Sequence, residues 1–208
     1  GYNPNYLQGV HLTKSKIRPS SRLNKVVEDA ETVVLAVPAA FIKDALLTLP
    51  TNAFEGKTVV SAIKGMIPED HNLVTDLMMQ RFNVPKEKLA IIGGPCHAEE
   101  VAMERQSYLT IGGFDMQTSE KVANLLRCRY VRVSTNDDLY GVEYAAVMKN
   151  IIAMACGIAH GLNLGDNFQA VLVSNSMKEI KNFIDAIDLR ERDLFQSVYV
   201  GDLLVTAY

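Results

Sequence analysis

Lys149 is the residue whose neighbours most strongly suggest chemistry. From Tyr140 to Ile158 the only charged side chains are Glu143 and Lys149, and most of the other residues are apolar or small. Apolar character on nearly every side predicts a buried helix, which leaves the Lys149 ammonium without an easy path to water. Lost solvation disfavours the charged form, lowers the pKa and brings the amine toward the range where it can give and take a proton near neutral pH. A lysine can also bury its stem while its head snorkels to solvent or pairs with a carboxylate, and the sequence leaves both readings open.

Other residues invite similar questions. Asp202 and Thr206 stand four apart in Gly201-Asp202-Leu203-Leu204-Val205-Thr206, so they share one face if the segment is helical. An aspartate there could orient a lysine or a substrate hydroxyl, or it could cap the helix. Lys64 follows a β-branched run and precedes Gly65; from such a strand end it could reach an anionic ligand or the reacting oxygen, although a solvated lysine in a turn is the plainer reading. Gly93-Gly94-Pro95 allows either close backbone approach to a ligand or a simple turn. Asp166, after Gly165, is expected to cap a helix. His97 beside Glu99 and Glu100 suggests a metal or a general base, yet His11, His71 and His160 show no ligand spacing to it. There is no Gly-x-Ser-x-Gly or Walker pattern, so hydrolase and P-loop readings have no support.

The elements that must position these residues can be read from periodicity. Five β-branched runs, Thr32 to Val37, Thr58 to Ile63, Leu89 to Ile92, Tyr108 to Ile111 and Tyr130 to Val133, read as strands. Helical spacing lies between them, at Ala40 to Leu49 and His71 to Phe82. Such alternation predicts an α/β fold with a mostly parallel, doubly wound sheet. The unbroken apolar run Val33 to Val37 further suggests a strand covered on both faces. After about Leu139 the strand signals stop, and the chain reads as helices with breaks at Gly157, Gly161 and Gly165. The expected division is 1–138 for the sheet domain and 139–208 for the start of a helical domain. No flexible linker separates them, so a rigid junction with a ligand cleft is the expectation.

Composition narrows the classes. The chain has 208 residues, 21 basic against 24 acidic, a net charge of -3 and no long basic block, which argues against nucleic acid as the main partner. Three cysteines, Cys96, Cys128 and Cys156, form no CxxC pair and suit a reducing, cytoplasmic setting. The longest unbroken apolar stretch, Ile151 to Ala159, is about half of the ~20 residues a bilayer crossing needs, so no membrane span is expected.

Taken in order, Ala36-Val37-Pro38, Ser61-Ala62-Ile63-Lys64-Gly65, Gly94-Pro95 with Ala98-Glu99-Glu100-Val101-Ala102, the run from Gly141 to Ala170, and Gly201 to Thr206 resemble the motifs of NAD(P)-dependent glycerol-3-phosphate dehydrogenase. Asn3-Pro4-Asn5-Tyr6-Leu7 resembles a bacterial version of that family. The resemblance implies a Rossmann-like domain binding NAD or NADP, a helical domain, and interconversion of dihydroxyacetone phosphate and sn-glycerol 3-phosphate in the cleft between them, supplying phospholipid synthesis. It implies that Lys149 is catalytic, and that Lys64, Asn150, Asp202 and Thr206 position the substrate and Lys149. Gly94 and Cys96 would fall among the substrate contacts. Phe41 would pack near the nicotinamide, with Lys64 and Ala98 also contacting cofactor. A homodimer is a further expectation.

Two departures from the family pattern stand out. Cys96 replaces a hydroxyl residue with a thiol, a poorer donor, and His97 comes directly after it. The resemblance also implies a Gly-x-Gly-x-x-Gly loop before Gly1 and a Ser-Arg-Asn segment after Tyr208, neither of which is in these 208 residues; the expectation is a partial chain that alone binds cofactor weakly and turns over little. Two rivals remain. One is a 3-hydroxyacid or 6-phosphogluconate type of dehydrogenase, which also carries a lysine on the first helix after the sheet; the other is a non-catalytic nucleotide-binding module on the same fold.

Overall fold

The computed structural model describes residues 1–207. The sheet has five strands in sequential order: β1 (Thr32–Leu35), β2 (Thr58–Ser61), β3 (Leu89–Gly93), β4 (Ser107–Gly113) and β5 (Val131–Asn136). All neighbours are parallel except β3 with β4. Helices α1 (Leu23–Glu28), α2 (Ala39–Leu47), α3 (Val74–Phe82), α4 (Ala98–Ala102) and α5 (Met116–Leu126) alternate with the strands. The helical part holds α6 (Leu139–Gly161), α7 (Asp166–Ile187), a π turn at Ser197–Gly201, and α8 (Asp202–Ala207).

All five expected strands are present, with changed ends. β2 stops at Ser61 because the Ser61 hydroxyl accepts the Ile63 N–H at 3.3 Å and bends the chain out of the ladder. β1 ends before Pro38, which sets up the first turn of α2. β1 lies at one edge of these five strands, and Val34 is exposed there. The helix expected from His71 starts only at Val74, because His71 takes a left-handed conformation (φ 52°) and closes a turn in which Ile67 bridges Asn72.

Two apolar clusters sandwich the sheet. Val60, Ala90, Ile111, Val122, Ala123, Val131 and Val133 pack on one face. The other cluster runs from Ile42, Leu46, Met78 and Ile91 through Val142 and Ile152 to Val173, Ile180 and Leu203. It crosses the expected boundary without a break, and α6 lies directly against β3, β4, α7 and α8. Burial of this kind, at roughly 1.5–3 kcal/mol per large side chain, makes the junction rigid.

Three helix expectations need correction. Gly157 lies inside α6 and Gly161 is its last residue; only Gly165 (φ 84°) breaks the chain, between α6 and α7. Asp166 is not the cap of α7 but its first residue, after Gly165, with no side-chain capping bond; its negative charge still suits the helix N-terminus. α6 is not buried on every side, since Ile151, Met154 and Ile158 form an exposed row. At 23 residues α6 is long and apolar enough to cross a bilayer by length and composition, but here it packs on the sheet and buries Glu143 and Lys149.

Candidate active site

α6 begins at Asp138, whose carboxylate accepts the Gly141 N–H at 2.9 Å and so satisfies one of the free donors of the first turn. Lys149 lies eight residues beyond Gly141, roughly 12 Å along the axis at 1.5 Å per residue. Its side chain is only 7% exposed. Its ammonium does not snorkel out: Nζ donates to Asp202 Oδ1 and, at 3.1 Å, to Thr206 Oγ1. Burial lowers the Lys149 pKa, with Asp202 opposing that shift and the Lys64 ammonium adding to it.

The segment Gly201 to Thr206 is helical as its spacing allows, and Asp202 and Thr206 face Lys149 together. The Asp202 carboxylate does not cap α8: its second oxygen accepts from Lys64 Nζ at 3.3 Å. Thr206 Oγ1 donates to the Asp202 carbonyl at 2.6 Å, which orients its lone pairs toward Lys149. One buried carboxylate thus carries two ammonium groups, one nearly sealed and one, at 33% exposure, partly open to solvent. Asn150, the next residue on α6, is exposed and donates to the Lys64 carbonyl at 3.1 Å. This bond links the segment just after β2 to the helix that carries Lys149.

Cys96 closes the same group. Burial pushes its thiol up, with the Lys64 charge opposing and Asp202 and Glu100 adding. Pro95 lies against Gly201, where an added Cβ would be 3.6 Å from the proline ring. Gly94 (φ 102°) comes directly after β3, and a Cβ there would sit 2.9 Å from the Tyr108 carbonyl oxygen. The turn against β4 therefore explains that glycine without a ligand.

Of the remaining expected residues, Phe41 is exposed in the first turn of α2 and Ala98 is exposed at the start of α4. α2 borders the Lys64 turn, since a Cβ on Gly65 would lie 3.1 Å from that of Ala39. An open aromatic ring and an ammonium beyond the carboxyl ends of parallel strands fit the ring end of a dinucleotide. His97, exposed just before α4, makes no side-chain bond to this group of residues. Tyr6, in the irregular N-terminal segment, donates to Glu99 and ties that segment to α4.

Sequence reasoning missed the role of Asp138, although an aspartate directly before an apolar run is a cap signal. It missed Arg192 and Tyr199 as well, for which no local signal exists. Glu143 stood out only as a charge; it is fully buried and accepts from the hydroxyl and, at 3.4 Å, the N–H of Thr75 in the first turn of α3.

Comparison with known proteins matches residues 1–119 to the family model described as NAD-dependent glycerol-3-phosphate dehydrogenase N-terminus, and residues 138–208 to the corresponding C-terminus. A relative from Clostridium botulinum named glycerol-3-phosphate dehydrogenase [NAD(P)+] is 33% identical over 98% of this chain and 61% of its own length. One of the same name from Moorella thermoacetica is 34% identical over 99% of the chain and 60% of its own length. The chain therefore spans about three fifths of these relatives. Among solved structures, the glycerol-3-phosphate dehydrogenase of Plasmodium falciparum superposes with a TM-score of 0.88 at 26% identity, covering 99% of this chain and 58% of that one.

Proposed function

The chain belongs to the NAD-dependent glycerol-3-phosphate dehydrogenase family, and from that premise we propose that it carries the proton-transfer centre of an enzyme interconverting dihydroxyacetone phosphate and sn-glycerol 3-phosphate. The buried Lys149–Asp202 pair, with Lys64 on the free side of the same carboxylate, is the observation that supports this reading. When bound, NADH or NADPH supplies the hydride. Phe41, Lys64 and Ala98 are the residues that would hold its nicotinamide end.

Reduction of a ketone puts negative charge on its oxygen, and Lys149 delivers the proton that neutralises it. Burial lowers the pKa of Lys149, which makes the ammonium a readier proton donor, and the neutral amine serves as base when the alcohol is oxidised. Asp202 keeps the ammonium in place before transfer, and Thr206 fixes the direction of its protons. Lys64 and Asn150 border the open side, where the carbonyl and hydroxyl groups of substrate would lie, and Gly94 and Cys96 complete that wall. The reading includes the sheet domain at 1–138 and the helical domain from 139. It also includes a cytoplasmic role in supplying glycerol 3-phosphate for phospholipids, in keeping with three unpaired cysteines.

The test is reduction of dihydroxyacetone phosphate with NADH and with NADPH by the full-length protein that contains this chain and by its Lys149→Ala variant, beside a panel of 3-hydroxyacids and 6-phosphogluconate. The substitution is expected to lower kcat about 10³-fold, in the range for a lost general acid. In the unaltered protein the reduction rate falls, and the oxidation rate rises, as pH climbs through the depressed Lys149 pKa. Activity restricted to a hydroxyacid, or an unchanged rate in Lys149→Ala, would overturn the proposal.

A further inference from the structure

A second buried ionic cluster lies where α6 begins. Asp138 is 3% exposed and spends both carboxylate oxygens on elements far apart in sequence. Oδ1 accepts the Gly141 N–H and, at 3.2 Å, Arg192 Nη2. Oδ2 accepts Arg192 Nε and, at 2.7 Å, the Tyr199 hydroxyl. The Arg192 side chain is also only 3% exposed and reaches on to Asp185 at 2.8 Å and Asp188 at 3.2 Å, at the end of α7. Gly141 has no room for a side chain, because a Cβ would fall 1.9 Å from Asp138 Oδ2.

Tyr199 sits inside the π turn that runs without interruption into Asp202. π turns carry one more residue per hydrogen-bonded loop than an α turn, and they recur at functional sites because they re-aim the side chains beyond them. Here the first side chain beyond the turn is the carboxylate that holds Lys149. The same two elements interlock again over the end of β3, where a Cβ on Gly93 would lie 2.6 Å from Val198 and 2.8 Å from Val142.

We propose that Asp138, through Tyr199 and Arg192, is a positioning residue for the proposed reaction: it clamps the start of α6 to the turn that delivers Asp202, and so fixes the offset at which Lys149 meets its partner. The inference rests on the role proposed above for Lys149. Over the ~12 Å from Gly141 to Lys149, a tilt of about 5° at the clamp displaces the ammonium by about 1 Å, and a misplacement of that size is worth about 10² in rate. Buried ion pairs contribute little net stability compared with apolar packing, whereas fixing one arrangement among several is their best attested use.

Tyr199→Phe is the gentlest test, since the ring still packs and Asp138 keeps Gly141 and Arg192. Two quantities are measured on the full-length protein that contains this chain: kcat with dihydroxyacetone phosphate, and the titration midpoint of Lys149. The midpoint comes from competitive acetylation across pH with peptide mass spectrometry, using exposed lysines as internal standards. The substitution should lower kcat about tenfold, at unchanged KM for the cofactor, for a fraction of an ångström of displacement. It should also move the Lys149 midpoint down, because a loosened Asp202 no longer supports the ammonium. Asp138→Asn, which keeps the Gly141 bond but weakens the hold on Arg192, should act in the same direction. A drop in melting temperature with both kcat and midpoint unchanged would overturn the clamp and leave a merely structural network. A shifted midpoint at unchanged kcat would instead retain the clamp and sink the role of Lys149 in the reaction.

Discussion

The ionic centres at the start and in the middle of α6 are balanced differently. Around Asp202 one carboxylate meets two ammonium groups, Lys149 and Lys64. Around Arg192 three carboxylates, those of Asp138, Asp185 and Asp188, meet that guanidinium together with Arg190, 3.6 Å from Asp138, and Lys181, which pairs with Asp185. Both lie among buried side chains, and both join α6 to the chain in or just before α8. Burial acts on each cluster, yet the outcomes differ. At Lys149 it lowers the pKa, and Asp202, shared with Lys64, does not restore it. At Asp138 burial would raise the carboxyl, but bonds from Arg192 and Tyr199 hold it below the usual range, and the Arg192 guanidinium ends above its own. Burial alone therefore does not make a group reactive. Whether the opposing charge is shared between two groups or matched decides whether a proton is loosened or locked.

Arg192→Leu attacks the locked centre and carries the largest expected effect. It leaves Asp138 buried with only the Arg190 guanidinium, 3.6 Å away, to balance it, and urea unfolding near neutral pH should show a loss toward the lower end of about 3–5 kcal/mol. The loss should shrink on acidification, as protonation relieves the stranded carboxylate. A deficit under 1 kcal/mol at neutral pH would show that the cluster is not what keeps these elements together.

Glu143 sharpens the contrast, because among the described residues this buried acid is held by the Thr75 hydroxyl and N–H and pairs with no cation. Burial raises its pKa to about 7 from 4.5, with the Thr75 bonds opposing. The folded-state value is the higher one, so its contribution is fully present below about pH 4.5 and is lost as pH rises toward 7. Over that window the protein should lose ~3 kcal/mol from this group. Glu143→Gln, which does not ionise, should gain on the unaltered protein by a similar amount between pH 5 and pH 8 in urea titrations. Parallel stability curves would mean that Glu143 ionises normally and that Thr75 solvates it well.

Cys96→Ser carries the smallest expected effect. It places a stronger donor in the wall beside Lys64, and KM for dihydroxyacetone phosphate should fall by about two- to fivefold, the value of one modest hydrogen bond. A rise in KM would show that the thiol contributes by packing.

Much of the sheet was legible, because β-branched runs bounded by turn residues carry their own signal, and only the ends shifted where Ser61 and Pro38 intervene. The lone charge at Lys149 and the four-residue spacing of Asp202 and Thr206 were also local patterns. What joins them was not. Asp202 lies 53 residues from Lys149, and Arg192 and Tyr199 lie 54 and 61 residues from Asp138, so those pairings depend on the packed fold and leave no periodic trace. The apolar surface of α6 misled for the opposite reason: a helix apolar all round shows no periodicity to separate the face that carries Lys149 from the exposed row at Ile151, Met154 and Ile158.

The adjacency of Lys149 and Asn150 limits how this helix tolerates change in length. Successive residues of an α-helix point about 100° apart, and here that single step sends one side chain inward to Asp202 and the next across to the Lys64 carbonyl. With Asp138 pinning the first turn, one inserted or deleted residue between Gly141 and Lys149 would rotate both out of register together, however apolar the addition. The number of residues in that stretch is thus as constrained as the identity of the lysine at its end.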